Sequence, residues 1–183
     1  AGAIVMNVTS VSTLGKYLAT GMPVVSRCIT VDGDACAKPQ NLIVPVGTAY
    51  QDIIDFAGVK GELGKVVAGG AMMGPAVENL SYPTTKTTSG LIMLSDTAAQ
   101  PAPVSPCIRC GRCVEYCPMG LEPVEVNQAY AARDVQELGK LHVDYCFNCG
   151  SCSFVCPAKR PCTQMMGLAK AFYLGEIKKG GNK

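Results

Sequence analysis

The sequence predicts an α+β protein in two parts: a small β-rich domain with one packed helix, then an α-rich domain built around cysteines. Three observations predict it. Short apolar runs with strand-like alternation, separated by turn phrases, fill residues 27–95. The stretch DTAAQPAPVSP (96–106) then holds three prolines and no periodicity, and reads as a semi-extended linker. Beyond it, CIRCGRCVEYCP (107–118) is answered 39 residues on by CFNCGSCSFVCP (146–157), with helical spacing between and after the two phrases.

Each element has its own cue. Val11 to Ala19 is an apolar helical stretch closed by Gly21 and Pro23. Cys28–Val31 alternates as a strand and ends in the turn Asp32-Gly33-Asp34, and Asn41–Pro45 is a second short apolar run. Thr48 is placed to cap a helix on which Ile53, Ile54 and Ala57 share one face, with Gly58 as its stop. Lys65–Ala68 and Gly90–Leu94 are further strands. The loop Gly69-Gly-Ala-Met-Met-Gly74 has neither the dinucleotide pattern nor a phosphate-loop lysine, so it reads as a tight turn where two backbones meet. In the second part, helices are predicted over Pro123–Arg133 and Val135–Lys140. A last helix is predicted with Met165, Leu168, Ala169 and Phe172 as its packing face. Residues 107–175 form the cysteine domain, and 176–183, with Lys178, Lys179 and Lys183, a flexible basic tail.

Composition narrows the class. The 183 residues are 48% hydrophobic and 16% charged, which suits a packed core and argues against disorder. A net charge of +2 and sparse aromatics, with no Trp, give no support to a nucleic-acid partner. No apolar run reaches the roughly 18 residues of a membrane span. The N-terminus AGAIVMNVTS lacks the basic and apolar regions of a secretory signal. It starts without a Met and in mid-phrase, and reads as a piece of a longer protein.

Eight of the eleven cysteines obey one spacing, C-x2-C-x2-C-x3-C-P, twice. Three cysteines at intervals of three can wrap three corners of a cubane cluster. Gly111 and Gly150, after the second cysteine, let the backbone approach the sulfides. In two-cluster ferredoxins the fourth cysteine of such a run ligates the other cluster. On this chain that assigns Cys107, Cys110, Cys113 and Cys156 to one [4Fe–4S] cluster, and Cys146, Cys149, Cys152 and Cys117 to a second. The crossing brings the clusters close and makes the pair an electron wire. A zinc ribbon uses two C-x2-C pairs and has no use for the third cysteine or the doubled Cys-Pro. Disulfides fit a smaller secreted chain better. Cys28 and Cys36 read as buried or idle thiols. Cys162, after Arg160-Pro161, is the remaining cysteine near a cluster and could tune or shield it. His142, the single histidine, reads as solvated.

The phrase from Cys107 to Leu121, the second phrase and Ala158-Lys-Arg-Pro161 together resemble the C subunit of Rnf complexes, membrane-bound ion-translocating NADH:ferredoxin oxidoreductases. Gly69–Gly74, Thr85–Gly90, and Val31–Asp34 leading to Asn41–Gly47 carry the same resemblance. It implies that residues 27–95 form a soluble-ligand-binding β-grasp domain ahead of a bacterial-type dicluster ferredoxin domain. It further implies that residues 1–26 are the tail end of a flavin- and NADH-binding domain absent from this sequence. Asn7, in Asn7-Val-Thr-Ser10, would lie near FMN in the complex I relative, although Thr9 replaces the acidic residue usual there. FMN and NADH would therefore bind only through the missing N-terminal part. The loop also carries Ala71 where the family has Pro.

The function expected is electron transfer as a subunit of an NADH:ferredoxin-type oxidoreductase, with no acid–base residue and the chain alone an electron carrier. Partners would be other subunits of a membrane redox complex, or a soluble reductase. If Rnf-like, the chain would sit peripherally on the cytoplasmic face of the cell membrane. The cobalamin reductase of propanediol-utilising microcompartments and a proline-reductase-associated electron-transfer protein share the architecture. A structural or regulatory cluster protein with a docking β-grasp domain is the remaining alternative.

Overall fold

The computed structural model describes residues 2–180. The chain divides into two compact units, Ala1–Gln100 and Pro101–Lys183.

The first unit opens with α1 (Val8–Thr20), three residues longer at its start than the apolar run predicts. Asn7 explains the extension: its side chain accepts the Thr9 N–H at 2.9 Å, so the helix begins where that orphan donor is satisfied. Gly21, at φ 70°, closes it by donating to the Tyr17 carbonyl. No residue of α1 is buried, and Val8, Val11, Leu14 and Leu18 are all exposed.

A four-stranded mixed sheet follows, β1 (Ser26–Asp32), β2 (Gln40–Pro45), β3 (Leu63–Ala68) and β4 (Gly90–Ser95), in the order β2-β1-β4-β3. β1 runs antiparallel to β2 and parallel to β4, and β3 pairs antiparallel with β4. The period of two predicted from sequence is visible in the burial: Ile29 and Val31 on β1, and Leu91 and Met93 on β4, face one core. α2 (Tyr50–Ala57) closes that core with Tyr50, Ile53, Ile54 and Ala57. Burying each of the larger side chains stabilises this unit by roughly 1.5–3 kcal/mol. Thr48 does not cap α2. The capping position falls one residue later, at Ala49, with no side-chain cap, and the Thr48 hydroxyl donates back to the Pro45 carbonyl at 2.9 Å.

The linker starts later than predicted. Ser95 caps a further turn of helix, α3 (Asp96–Ala99), by accepting the Ala98 N–H, and Lys65 Nζ donates to the Ala99 carbonyl at 3.0 Å. Ser95 also donates its N–H and its hydroxyl to Asp34, and these bonds hold that carboxyl below its ordinary value. The Asp32-Gly33-Asp34 turn is thereby tied to the end of β4. The glycine loop is a close backbone approach: a Cβ on Gly74 would lie 2.7 Å from the Gly70 carbonyl oxygen and 2.8 Å from that of Ala68.

The second unit is helical: α4 (Arg112–Glu115), α5 (Pro123–Ala131), α6 (Val135–Lys140), a 3-10 turn (Val143–Tyr145), α7 (Ser151–Phe154) and α8 (Cys162–Gly180). Leu121, Val126, Ala129, Leu138, Val143, Met166 and Ala169 form its core. Arg133 lies over the Tyr130 and Phe172 rings, at 4.8 and 4.9 Å. The buried face of α8 is rotated from the predicted one. Ala169 is buried and Phe172 packs against the core, but Met166 replaces Met165 there and Leu168 is exposed. The helix begins at Cys162, so Cys162, Met166 and Ala169 share one face at helical spacing. The basic tail predicted from 176 is helical as far as Gly180, with Lys178 and Lys179 in the last turn of α8, while Lys183 lies outside the described residues. Among the described residues, no helix is long and apolar enough to cross a membrane.

Gly33 gives the first unit its sharpest constraint. Its φ is 124°, and a Cβ there would lie 2.0 Å from the Met93 carbonyl oxygen. Gly33→Ala is expected to destabilise this unit by at least the ~1–3 kcal/mol of the backbone strain. The midpoint of denaturant unfolding should fall without a change in slope.

Candidate metal centre

The two cysteine phrases fold alike. Arg109 and Asn148 are left-handed, at φ 52° and 56°, and so are Gly111 and Gly150, at 78° and 87°. The glycines turn the loops into α4 and α7, one helical turn each. Ten residues beyond the second cysteine of each phrase, Gly120 and Lys159 are left-handed again. The shared backbone follows from shared needs. Each loop must double back within a few residues, which requires positive φ, and glycine meets that at no steric cost.

The thiols gather at two cavities. One, of ≈ 310 Å³, has Cys107, Cys110, Cys113 and Cys156 in its wall. The other, of ≈ 20 Å³, has Cys146, Cys149, Cys152 and Cys117. Each wall therefore carries three cysteines of one phrase and the last cysteine of the other. All eleven cysteines are free thiols. Among the described residues, no three His, Cys, Asp or Glu side chains converge closely enough to hold a single metal ion. Thiols spread around a space, with no carboxylate or imidazole among them, are a soft donor set fitted to an iron–sulfur body. The room for it is generous in the first cavity and narrow in the second. Asn127 also lies in the wall of the first cavity, and its buried Oδ1 has no hydrogen-bond partner.

Electrostatics explain why thiols alone do not suffice. Burial pushes the Cys113 and Cys152 thiols up, and neighbouring thiols push the same way. Cys113 is raised in part by Cys152, a member of the other set, so the two sets lie within electrostatic reach of each other. Cys162 is buried in the wall of the first cavity and pushed up to about 12, by burial first and then by Cys156, Cys152 and Cys113. Four thiolates in such a place need bound cations to stay together.

Several groups that cysteine spacing does not reveal lie at the sulfurs. The Arg109 N–H donates to Cys107 Sγ at 3.4 Å, and the Leu121 N–H to Cys117 Sγ at 3.3 Å. Ser151 Oγ is 3.4 Å from Cys149 Sγ, and Thr163 Oγ1 is 3.5 Å from Cys152 Sγ. The outlying residues separate cleanly. Cys28 is exposed on β1, Cys36 is buried in the first unit's core, and exposed His142 stacks on Tyr145 at 5.2 Å. Asn7 caps α1 and lies in the first unit, outside both thiol-lined cavities.

Comparison with known proteins agrees with this chemistry. Residues 106–159 match the family described as the 4Fe-4S dicluster domain. The chain is 41% identical over 67% of its length to the C subunit of a proton-translocating ferredoxin:NAD(+) oxidoreductase complex from Clostridium ljungdahlii, covering 27% of that protein. It is 38% identical over 74% of its length to the C subunit of the Na(+)-translocating complex from Acetobacterium woodii, covering 30%. It is 36% identical over 76% of its length to the C subunit of an ion-translocating oxidoreductase complex from Rhodobacter capsulatus, covering 27%. The chain thus spans between a quarter and a third of the length of these three relatives. With the dicluster motif inside that likeness, the chain is similar to a part of the C subunits of Rnf-type ion-translocating oxidoreductase complexes.

Proposed function

We propose that this chain is the electron-transfer module of an Rnf-type oxidoreductase subunit and carries electrons through two [4Fe–4S] clusters. Cys107, Cys110, Cys113 and Cys156 hold one, and Cys146, Cys149, Cys152 and Cys117 hold the other. The observation that supports this reading is the composition of the two cavity walls, each with three thiols from one phrase and the fourth from its partner.

When bound, such clusters store and pass single electrons. The chain's own residues set the conditions. The thiolates hold the iron. The Leu121 and Arg109 amides and the Ser151 and Thr163 hydroxyls lie where they can moderate negative charge on the sulfurs, which favours the reduced form. Leu121 and Met166 line the narrow cavity with hydrocarbon and exclude water from it. None of these roles moves a proton.

In this reading the first unit is a β-grasp domain, supported by its mixed four-stranded sheet with one helix over the core. Electrons come from a flavin and NADH held elsewhere in the subunit or by a partner. They leave to another subunit of a membrane complex on its cytoplasmic face. The names of the relatives, which join ferredoxin and NAD(+) to ion translocation, support a membrane complex as the recipient.

Anaerobically prepared protein is expected to hold about eight irons and eight acid-labile sulfides per chain, bleached by dithionite with the appearance of an EPR signal. Stoichiometric zinc, or clusters indifferent to dithionite, would refute the wire. Cys117→Ala tests the crossing. It should damage the cluster built on Cys146, Cys149 and Cys152 and leave largely intact the one beside it in sequence. Loss of the Cys107–Cys113 cluster in the EPR spectrum of that variant would contradict the assignment.

A further inference from the structure

The two thiol-lined cavities differ by one sulfur. A [4Fe–4S] cluster takes four thiolates. The wall of the second cavity holds four cysteines, whereas that of the first holds five: Cys107, Cys110, Cys113, Cys156 and Cys162. The chain brings the last two together by turning back on itself. The Lys159 N–H donates to the Cys156 carbonyl at 3.2 Å, Lys159 is left-handed at φ 52°, and the Cys162 N–H donates to the Arg160 carbonyl at 2.8 Å. The segment thus reverses within a few residues, and Cys162 opens α8 in the same wall as Cys156.

Core packing does not account for Cys162. A free cysteine is commonly buried as a small apolar group. Cys36 fits that description, since it is a member of the first unit's core. Cys162 is as well buried as Cys36, at 6% against 5% exposure, yet the core of the second unit does not include it. It lies instead beside thiols. Cys156, Cys152 and Cys113 all help to keep it protonated, and Cys156 does so through a hydrogen bond as well. The next residue gives the contrast. Thr163 brings a hydroxyl from α8 to the second cavity where Cys162 brings a thiol to the first.

We propose that Cys162 is an alternate iron ligand of the first site, able to take the place of Cys156. The proposal rests on the two-cluster reading above and adds a fifth thiol to the ligand set of one cluster. One loop supplies Cys107, Cys110 and Cys113, and the separate segment that carries in the fourth thiol bears two candidates for it. The exchange balances without an oxidant or a reductant. The iron–sulfur bond to Cys156 breaks, one to Cys162 forms, and the Cys162 proton passes to the Cys156 sulfur. No electron is gained or lost, and the charge of the site is unchanged. The first cavity, at ≈ 310 Å³ against ≈ 20 Å³, leaves space for a change of ligand that the second does not offer.

The test removes the two thiols singly and together from the 183-residue chain, with its clusters assembled anaerobically. Iron and acid-labile sulfide are counted, and EPR spectra are recorded after reduction by dithionite. Cys156→Ala is expected to keep about eight irons and the signals of both clusters, and Cys162→Ala should keep about eight as well. Cys156→Ala combined with Cys162→Ala should lose between about one and about four irons. Circular dichroism checks that each variant is folded. Should Cys156→Ala fail to fold, iron release to a chelator decides the matter. Cys162→Ala should then surrender half of its iron severalfold faster than the parent, because a broken Cys156 bond has no second thiol to replace it. The proposal is overturned if folded Cys156→Ala loses as much iron as the double variant, if the double variant loses none, or if Cys162→Ala alone loses a cluster. Equal release rates from the parent and Cys162→Ala overturn it too. A parent that holds zinc or no cluster defeats the two-cluster reading itself. A parent with about eight irons whose Cys156→Ala variant holds about four defeats the alternate ligand alone.

Discussion

A loop of the form C-x2-C-x2-C can surround three corners of a cluster and no more. The whole second unit depends on that limit. The chain turns away after the third cysteine, so the fourth thiol must be carried in from another segment. Cys156 stands in the wall built by Cys107, Cys110 and Cys113, and Cys117 in the wall built by Cys146, Cys149 and Cys152. Neither phrase can complete a site alone. Under the proposed ligation the two halves are cross-linked twice through iron, and the helices between them are required to hold the phrases in register. That is the work of Leu121, Val126, Leu138 and Val143, which pack against Met166 and Ala169 of α8. The core is small, and bound iron would supply folding energy that a unit of this size lacks.

The same limit explains what the repeat keeps and what it varies. Cysteines, the glycines at 111 and 150, and the Cys-Pro pairs recur, because loop reach and left-handed turns demand them. Side chains that only touch the surroundings are free to differ. Hydroxyls lie at the sulfurs of the Cys146 set and guanidinium groups around the Cys107 set. Two sites alike in ligands are thereby given different electrostatic settings, which is how one protein makes two otherwise equal clusters chemically distinct.

The legible parts of this protein are those set by local periodicity or by ligand spacing. All four strands, the stop at Gly58 and the bounds of α6 can be read directly, because each rests on a short-range rule, and cysteine spacing anticipates which thiols line each cavity. The departures share a different cause. Thr48 has the residue type and place of a cap, yet its hydroxyl is taken by the Pro45 carbonyl. Residues 96–99 have the composition of a linker, yet Ser95 caps them as a turn of helix and Lys65 fastens their end. The spacing of Leu168 allows burial, but the face of α8 is chosen by what the cavities require. Ser151 and Thr163 leave no signal, since a hydroxyl within reach of sulfur is a fact of tertiary geometry.

The start of α8 shows how those requirements act on single residues. Cys162 and Met165 line the first cavity, and Thr163 and Met166 line the second. Successive residues on a helix are turned by about 100° from one another. Two adjacent positions, repeated after three, therefore present neighbouring strips of one helix to the two cavities. The helix is a shared wall, and a shared wall holds the sites close. That closeness is already felt electrostatically, since Cys113 is raised in part by Cys152. A wire needs two sites near enough for an electron to cross and separate enough to remain two. A single helical turn, entered through Arg160-Pro161, contributes to both walls, as the proposed wire requires. It also accords with the burial of Met166, which lines the narrow cavity, over Met165, which lines the wider one.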